Sequence, residues 1–128
     1  MNLLDYNLND LSNDQTLVSK SQYADLLTQI DQWNVVQKDG VDQLFCVYKC
    51  DDFVAAMDLA QAISELAEQV DHHPAVLVEW GKLSVSWWSH SLKGLHINDF
   101  IMAANTHQIY TAQWVIPIYK TQKATSNS

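Results

Sequence analysis

The sequence predicts an α+β domain in which three helices pack on one face of a four-stranded antiparallel sheet. Three stretches repeat apolar residues at helical spacing, and two others alternate apolar residues on either side of a glycine turn, as β-hairpins do. These stretches follow one another in the order helix, hairpin, helix, hairpin, helix. Hairpins and helices in this order favour a layer of helices packed on an antiparallel sheet.

The composition fits one globular domain. The chain has 128 residues, of which 48% are apolar, enough for a single hydrophobic core. We expect that domain to span residues 21–119, between a loosely ordered arm (1–20) and a frayed tail (120–128). There is no apolar run of about eighteen residues that would span a membrane, and the N-terminus lacks the basic and apolar regions of a secretory signal. A cytoplasmic location with no membrane partner is therefore expected.

The charge of the chain argues against nucleic acid as a partner. The net charge is −8, and all seven basic residues are Lys. Arg supplies the two-pronged contacts that phosphate and guanine favour, and an acidic chain repels polyanions. The absence of Arg argues equally against a strongly phosphorylated substrate.

The first helix and the second helix each have a capping signal. Ser19 or Ser21 is placed to cap a helix that runs to about Gln32, and Asp51 or Asp52 to cap a helix that ends near residue 70. Small and apolar residues recur along the second helix, which predicts close packing on the sheet. This stripe consists of Phe53, Ala56, Met57, Ala60, Ile63, Ser64, Ala67 and Val70.

The first hairpin is predicted from a Lys-Asp-Gly turn at 38–40, between strands at 33–37 and 41–49. The second of these strands is apolar on both faces, so we expect one face to meet a helix and the other to form an interface. Cys46 and Cys50 lie four residues apart in it. At strand rise this separates their Cα atoms by roughly 13 Å, too far for a disulfide.

The second hairpin and the third helix complete the predicted domain. Residues 76–80 and 83–88 are expected to pair through a Gly-Lys turn. The third helix is predicted over about 97–110. Residues 111–119 then either add an edge strand or dock on the surface.

A candidate site lies where the second helix ends. His72 and His73 follow that helix, and Glu68 stands in its last turn, where the helix dipole disfavours a carboxylate. Imidazoles beside carboxylates are the ingredients of acid–base chemistry near neutral pH. Taken alone, the stretch is weak evidence for a site, because His is common at exposed helix ends, and a plain helix terminus is the more usual interpretation.

Beyond this corner, the sequence resembles the signature of the pterin-4a-carbinolamine dehydratases. The resemblance covers roughly residues 20 to 110 and includes Trp33, the Phe45 strand and the Asp51-Asp52-Phe53 helix start. The signature itself combines three His, two acids and an aromatic residue at fixed offsets. It is carried by Glu68, His72, His73, Pro74, Trp80, His90 and Asp99.

The resemblance implies a reaction and an assembly. Members of the family dehydrate a 4a-hydroxytetrahydropterin to a quinonoid dihydropterin, which recycles the pterin after aromatic amino-acid hydroxylation. The dehydration needs no metal and no organic cofactor. A homodimer or a homotetramer is implied.

The resemblance also implies roles for the signature residues. His72 and His90 are then the acid–base pair, and His73 binds and polarises the pterin. Glu68 and Asp99 are expected to orient the imidazoles. An aromatic wall beside the flat pterin ring is expected from Trp33 or Trp80, so these two residues and His73 are the expected substrate-binding residues.

One position departs from the family pattern. The third helix of the family usually begins after a Ser or Thr three residues before the Asp, whereas this chain has His96 there. Loss of a good cap costs about 1 kcal/mol, so a slightly weaker helix start is expected. His96 then either belongs to a surface loop or protrudes into the mouth of the site. His107 is expected to be a partly buried surface residue.

Two functions other than dehydration are compatible with these residues: a metal site and a protein-interaction module. The three signature His with Asp99 are ligand types suited to zinc or iron, but adjacent His side chains rarely converge on one ion. A non-enzymatic protein-interaction or coactivator module is the second alternative. The apolar hairpin faces and the 114–116 segment would suit such an interface.

Overall fold

The computed structural model describes residues 1–115, and the side chains of residues 1–112. The expectations for residues 116–119 and for the tail at 120–128 lie outside the described residues. The domain limits therefore stay a prediction on that side.

Four strands form one antiparallel sheet, as the sequence predicts. Their order across the sheet is β1-β2-β4-β3, so the two hairpins lie side by side and the longest strand is internal. Strands β2 and β4 pair from Leu44 opposite Trp87 to Lys49 opposite Lys82. The strands are β1 Asn34–Lys38, β2 Val41–Lys49, β3 Ala75–Glu79 and β4 Lys82–Trp87.

Three α-helices accompany the sheet within residues 1–115. They are α1 Tyr23–Leu27, α2 Phe53–Val70 and α3 Ile97–Val115. The predicted fold class, an antiparallel sheet with helices on one side, is confirmed. Since α3 continues to Val115, the first five residues of the segment at 111–119 are helical and not part of an edge strand.

Both hairpins turn at glycine. Asp39 and Gly40 have φ of 53° and 79°, the two left-handed residues that a tight hairpin of this hand requires. In the second hairpin Glu79 pairs with Lys82. The turn residues are therefore Trp80 and Gly81, one position earlier than the predicted Gly-Lys turn.

Helix α1 is shorter than predicted. Ser19 does begin this region, since its N–H donates to Oε1 of Gln22, but regular helix stops at Leu27 and not at Gln32. The hydroxyl of Thr28 donates to the Asp25 carbonyl at 2.6 Å. Such side-chain bonds compete with the helical backbone pattern and favour the turns that follow here.

Helix α2 has the predicted limits, with Asp52 as its cap, and its buried face overlaps the predicted stripe in part. The Asp52 carboxylate accepts the Ala55 N–H at 2.8 Å. Phe53 and Met57 from the predicted stripe are about half exposed. Ala56, Ile63 and Ala67 of the stripe are buried, as predicted. Leu59 and Leu66, which the stripe left out, are buried with them because their longer side chains bury more apolar area.

The N-terminal arm lies against the domain. Leu3 is fully buried, and its N–H donates to Oε1 of Gln29 at 2.8 Å. Further along, the Val18 N–H donates to the Leu95 carbonyl at 2.8 Å. The polar composition that suggested a loose arm reflects side chains that make local turns, while a few apolar residues anchor the segment.

Within residues 1–115, none of the helices combines the length and the apolar character that crossing a bilayer requires.

The cap of α2 gives a test of the fold. Asp52→Ala removes the acceptor for the Ala55 N–H and is expected to lower the free energy of unfolding by about 1 kcal/mol in urea titrations. Asp58→Ala, at an exposed position within the same helix, is the control and should cause no loss, because Ala favours helix more than Asp. Equal effects of the two substitutions would contradict this account.

Candidate active site

Four segments surround a cavity of about 370 Å³ at one end of the sheet. They are the arm at 12–15, the corner after α2 at 71–73, the loop after β4 at 89–92, and the start of α3. From that start of α3, His96 and Asn98 line the cavity. The corner that the sequence singled out therefore faces residues from both ends of the chain.

The backbone at the end of α2 delivers the two adjacent imidazoles. Asp71 adopts the left-handed conformation, with φ of 53°, and the N–H groups of Asp71 and His72 both bond to the Ala67 carbonyl. This arrangement closes the helix without glycine. Pro74 cannot continue the helix, so His72 and His73 are fixed at the turn between α2 and β3.

The fully buried carboxylate of Asp99 joins three parts of the site. One oxygen, Oδ1, lies 2.6 Å from Nε2 of His72. The other, Oδ2, accepts the Ser89 hydroxyl at 2.8 Å and the His96 backbone N–H at 2.9 Å. A buried carboxylate is stable only when such donors replace its water.

Asp99 also determines the state of the His72 ring. Because a carboxylate oxygen accepts, Nε2 of His72 carries the hydrogen and Nδ1 is the nitrogen with a free lone pair. The ring stacks on Trp87, with centroids 5.5 Å apart and planes at 17°. Trp87 is itself held by a hydrogen bond from Nε1 to Oγ1 of Thr106 at 3.0 Å. His72, with 21% of its side chain exposed, is thus oriented from two sides.

The second imidazole of the corner has an exposed partner. Nε2 of His73 hydrogen-bonds Oε2 of Glu68, whose side chain is 74% exposed. This contact accounts for a carboxylate in the last turn of α2. An exposed pair contributes little to stability, so the contact orients His73 more than it holds the fold.

His90 is the third signature imidazole that lines the cavity. It is exposed, and its ring stacks on Trp88 with centroids 4.2 Å apart and planes at 8°. Among the described residues no side chain forms a hydrogen bond with it, unlike His72 and His73. In the same part of the chain, no three His, Cys, Asp or Glu side chains are grouped as a metal ion would need.

Comparison with known proteins shows which family the chain belongs to. The family model described as pterin 4 alpha carbinolamine dehydratase matches residues 16–109. The chain belongs to the pterin-4a-carbinolamine dehydratase family. The matched range includes all the signature residues and the last part of the arm.

Relatives support the assignment in sequence and in structure. Two proteins named "Putative pterin-4-alpha-carbinolamine dehydratase", from Vibrio vulnificus strains YJ016 and CMCP6, are each 46% identical over 96 residues, which is 75% of this chain and 87% of theirs. The crystal structure of a transcriptional coactivator/pterin dehydratase from Brucella melitensis superposes with a TM-score of 0.66 at 26% identity. That match covers 73% of this chain and 98% of the other.

Two residues expected from the dehydratase family to wall the substrate do not reach the cavity. Trp33 is buried in the core, where its Nε1 donates to the Tyr48 hydroxyl at 3.1 Å. Trp80 is 74% exposed in the β3–β4 turn. The six-residue strand β4 separates that turn from Ser89, roughly 20 Å at strand rise.

Sequence reasoning missed the aromatic residues that do contact the imidazoles. Trp87 ends β4, and Trp88 follows it in the loop that carries His90. Alternation along a strand places residues two apart on one side, so Trp88 and His90 were recognisable neighbours. The pairing of Trp87 with His72 joins residues distant in sequence, and no local pattern indicates it.

His96 caps α3 with its ring. Nδ1 accepts the Asn98 N–H at 3.0 Å, and the residue is 4% exposed. The expected weakening of the helix start is therefore offset by an imidazole acceptor. Of the two positions expected for His96, the structure shows the one at the site, because His96 lines the cavity. Its burial is not that of a surface-loop residue. His107 is half-buried, and its Nδ1 lies 3.4 Å from the Tyr48 hydroxyl.

Substitution of the buried acid is expected to cost much more stability than substitution of the exposed acid. Asp99→Ala leaves three donors without their acceptor and is expected to lower the free energy of unfolding by about 2 kcal/mol or more, at ~1–3 kcal/mol for each buried unsatisfied group. Glu68→Ala breaks an exposed pair and should cost at most about 0.5 kcal/mol. Denaturant unfolding of both variants measures this, and a larger loss from Glu68→Ala would refute the assignment of Asp99 as the central acceptor.

Proposed function

We propose that this member of the dehydratase family converts 4a-hydroxytetrahydropterin to quinonoid dihydropterin and water, with His72 and His90 as the acid–base pair. The observation that carries the proposal is the cavity lined by His72, His73 and His90, in which Asp99 orients His72. Family membership supplies the reaction, and the geometry suggests how the side chains divide it.

The reaction needs one proton delivered and one removed. The bond between C4a and its hydroxyl oxygen breaks, and the oxygen leaves as water after it gains a proton. A ring nitrogen supplies the electron pair for the new double bond and gives up a proton. Protons therefore balance within one turnover, and nothing is oxidised or reduced. Each proton transfer by a well-placed imidazole contributes about 10²–10⁴-fold.

His72 suits the removal of the proton from the ring nitrogen. Its Nδ1 has the free lone pair, since Nε2 donates to Asp99. When Nδ1 gains a proton the ring becomes positive, and the buried carboxylate 2.6 Å away stabilises that charge. Stacking on Trp87 holds the ring in one orientation throughout.

His90 and His73 are assigned the remaining tasks. His90 lines the same cavity and is exposed to water, so it can be reprotonated between turnovers and deliver a proton to the leaving hydroxyl. His73, oriented by Glu68, is placed to bind and polarise the pterin ring. Neither role requires a metal or an organic cofactor.

The outer face of the sheet supports a homo-oligomer as the working form. Val47 on β2 and Leu77 on the edge strand β3 are exposed, and both are in register with Ser84 of β4, so they share this face. Apolar side chains on an unpaired edge strand favour association with a second copy. A homodimer or homotetramer in the cytoplasm, acting after a pterin-dependent hydroxylase of aromatic amino acids, is the setting we propose.

Loss of His72 tests the proposal. His72→Ala is expected to lower kcat for decay of 4a-hydroxytetrahydropterin by about 10²-fold, measured in a stopped-flow assay against the spontaneous rate. His107→Gln, at a His outside the cavity, is the control and should keep the wild-type kcat. A wild-type protein that adds nothing to the spontaneous rate would exclude the dehydratase function.

A further inference from the structure

The ring of His96 makes two hydrogen bonds to two different segments. Nδ1 accepts the Asn98 N–H at 3.0 Å, and Nε2 lies 2.6 Å from the Asp14 carbonyl oxygen. A backbone N–H only donates and a carbonyl only accepts, so Nδ1 bears the lone pair and Nε2 the hydrogen. One half of the ring therefore caps α3, while the other half holds the N-terminal arm.

The same part of the arm is held at two further points. The Asn98 side-chain amide donates to the Ser12 carbonyl at 2.7 Å, and the Val18 N–H donates to the Leu95 carbonyl at 2.8 Å. Between these points the chain is stiffened by its own turn, in which the Asp14 carboxylate accepts the N–H and hydroxyl of Thr16. We call residues 12–15 the strap.

The strap lines the cavity that holds the candidate catalytic imidazoles. It contributes hydrogen-bond acceptors there, including the carboxylate of Asp14. Hydrogen bonds from the Thr16 hydroxyl and N–H lower the pKa of that carboxyl, which keeps it ionised. At the foot of the strap, Oδ1 of Asn98 is buried without a partner among the described residues. A reduced pterin carries several N–H donors, so acceptors on this wall match its chemistry.

We propose that the strap is a wall of the substrate site and that His96 is the positioning residue that holds it there. The inference rests on the proposed dehydratase function and extends it to a segment of the arm and to a residue outside the family signature. His96 also donates its backbone N–H to Asp99, so one residue borders both the strap and the acceptor of His72. Because the strap contacts substrate away from the proton transfers, its loss weakens binding and leaves the chemical step unchanged.

Two substitutions of His96 separate its cap on α3 from its hydrogen bond to the Asp14 carbonyl, which we call the tether. Asn is a strong N-cap residue and its short side chain supplies an acceptor where Nδ1 lies, so His96→Asn keeps the cap and loses the bond to Asp14. The longer Gln side chain retains a donor near the position of Nε2, so His96→Gln keeps the tether and loses the cap. Gln69→Ala is the control, because it removes only an exposed 3.4 Å contact to Asn9, outside the cavity lining.

The expected results differ between these variants. His96→Asn should raise KM by about three- to ten-fold, the range for one hydrogen bond, with kcat within about two-fold of wild type. It should also speed amide hydrogen exchange across residues 12–18 in the substrate-free protein. His96→Gln should show a smaller rise in KM but a lower Tm, and Gln69→Ala should match wild type in KM and Tm.

Each of the other outcomes contradicts one specific part of the proposal. If His96→Asn leaves exchange at 12–18 unchanged, His96 does not hold the strap. If exchange rises and KM does not, the strap is not part of the substrate site. Either result overturns the inference while an active wild type leaves the dehydratase function standing. A wild type without activity overturns the proposed function itself, and with it the strap as a substrate wall.

Discussion

The buried carboxylate of Asp99 is the constraint on which the site depends. Its two oxygens take hydrogen bonds from the corner after α2, the loop after β4 and the start of α3. Taking a carboxylate out of water is costly unless donors surround it. The three segments must therefore meet at Asp99 for the fold to tolerate it, and the same meeting brings His72 to the cavity with a defined hydrogen position.

The two imidazoles of the corner after α2 line the same cavity, but their carboxylate partners differ in burial. Asp99 is fully buried, and His72 stacks on Trp87, so this pair has little freedom. Glu68 and His73 are exposed, so water screens their interaction and the pair can adjust. A rigid pair suits a proton transfer that needs fixed geometry, and an adjustable pair suits the binding of a ring that must enter and leave.

Much of the fold was predictable from local sequence signals, and each wrong prediction has an identifiable physical reason. The sequence correctly predicted the first hairpin from its turn at Asp39–Gly40 and the start of α2 from its cap, Asp52. Periodicity placed Phe53 and Met57 on the buried side of α2, where both are about half exposed, and it extended α1 past Leu27, where the regular helix ends. In the site, the signature indicated His72 and Asp99. The bond from His96 to Asp14 spans 82 positions of sequence, and no spacing predicts it.

The most direct test of the account is the hydrogen position on His72. Nitrogen-15 NMR of the substrate-free protein distinguishes the two neutral forms of an imidazole by the shifts of Nδ1 and Nε2. The account predicts hydrogen on Nε2 and a lone pair on Nδ1, with loss of this preference in Asp99→Ala. Hydrogen on Nδ1 in the wild type would contradict it, because Asp99 would then not be the acceptor that prepares His72 for proton transfer.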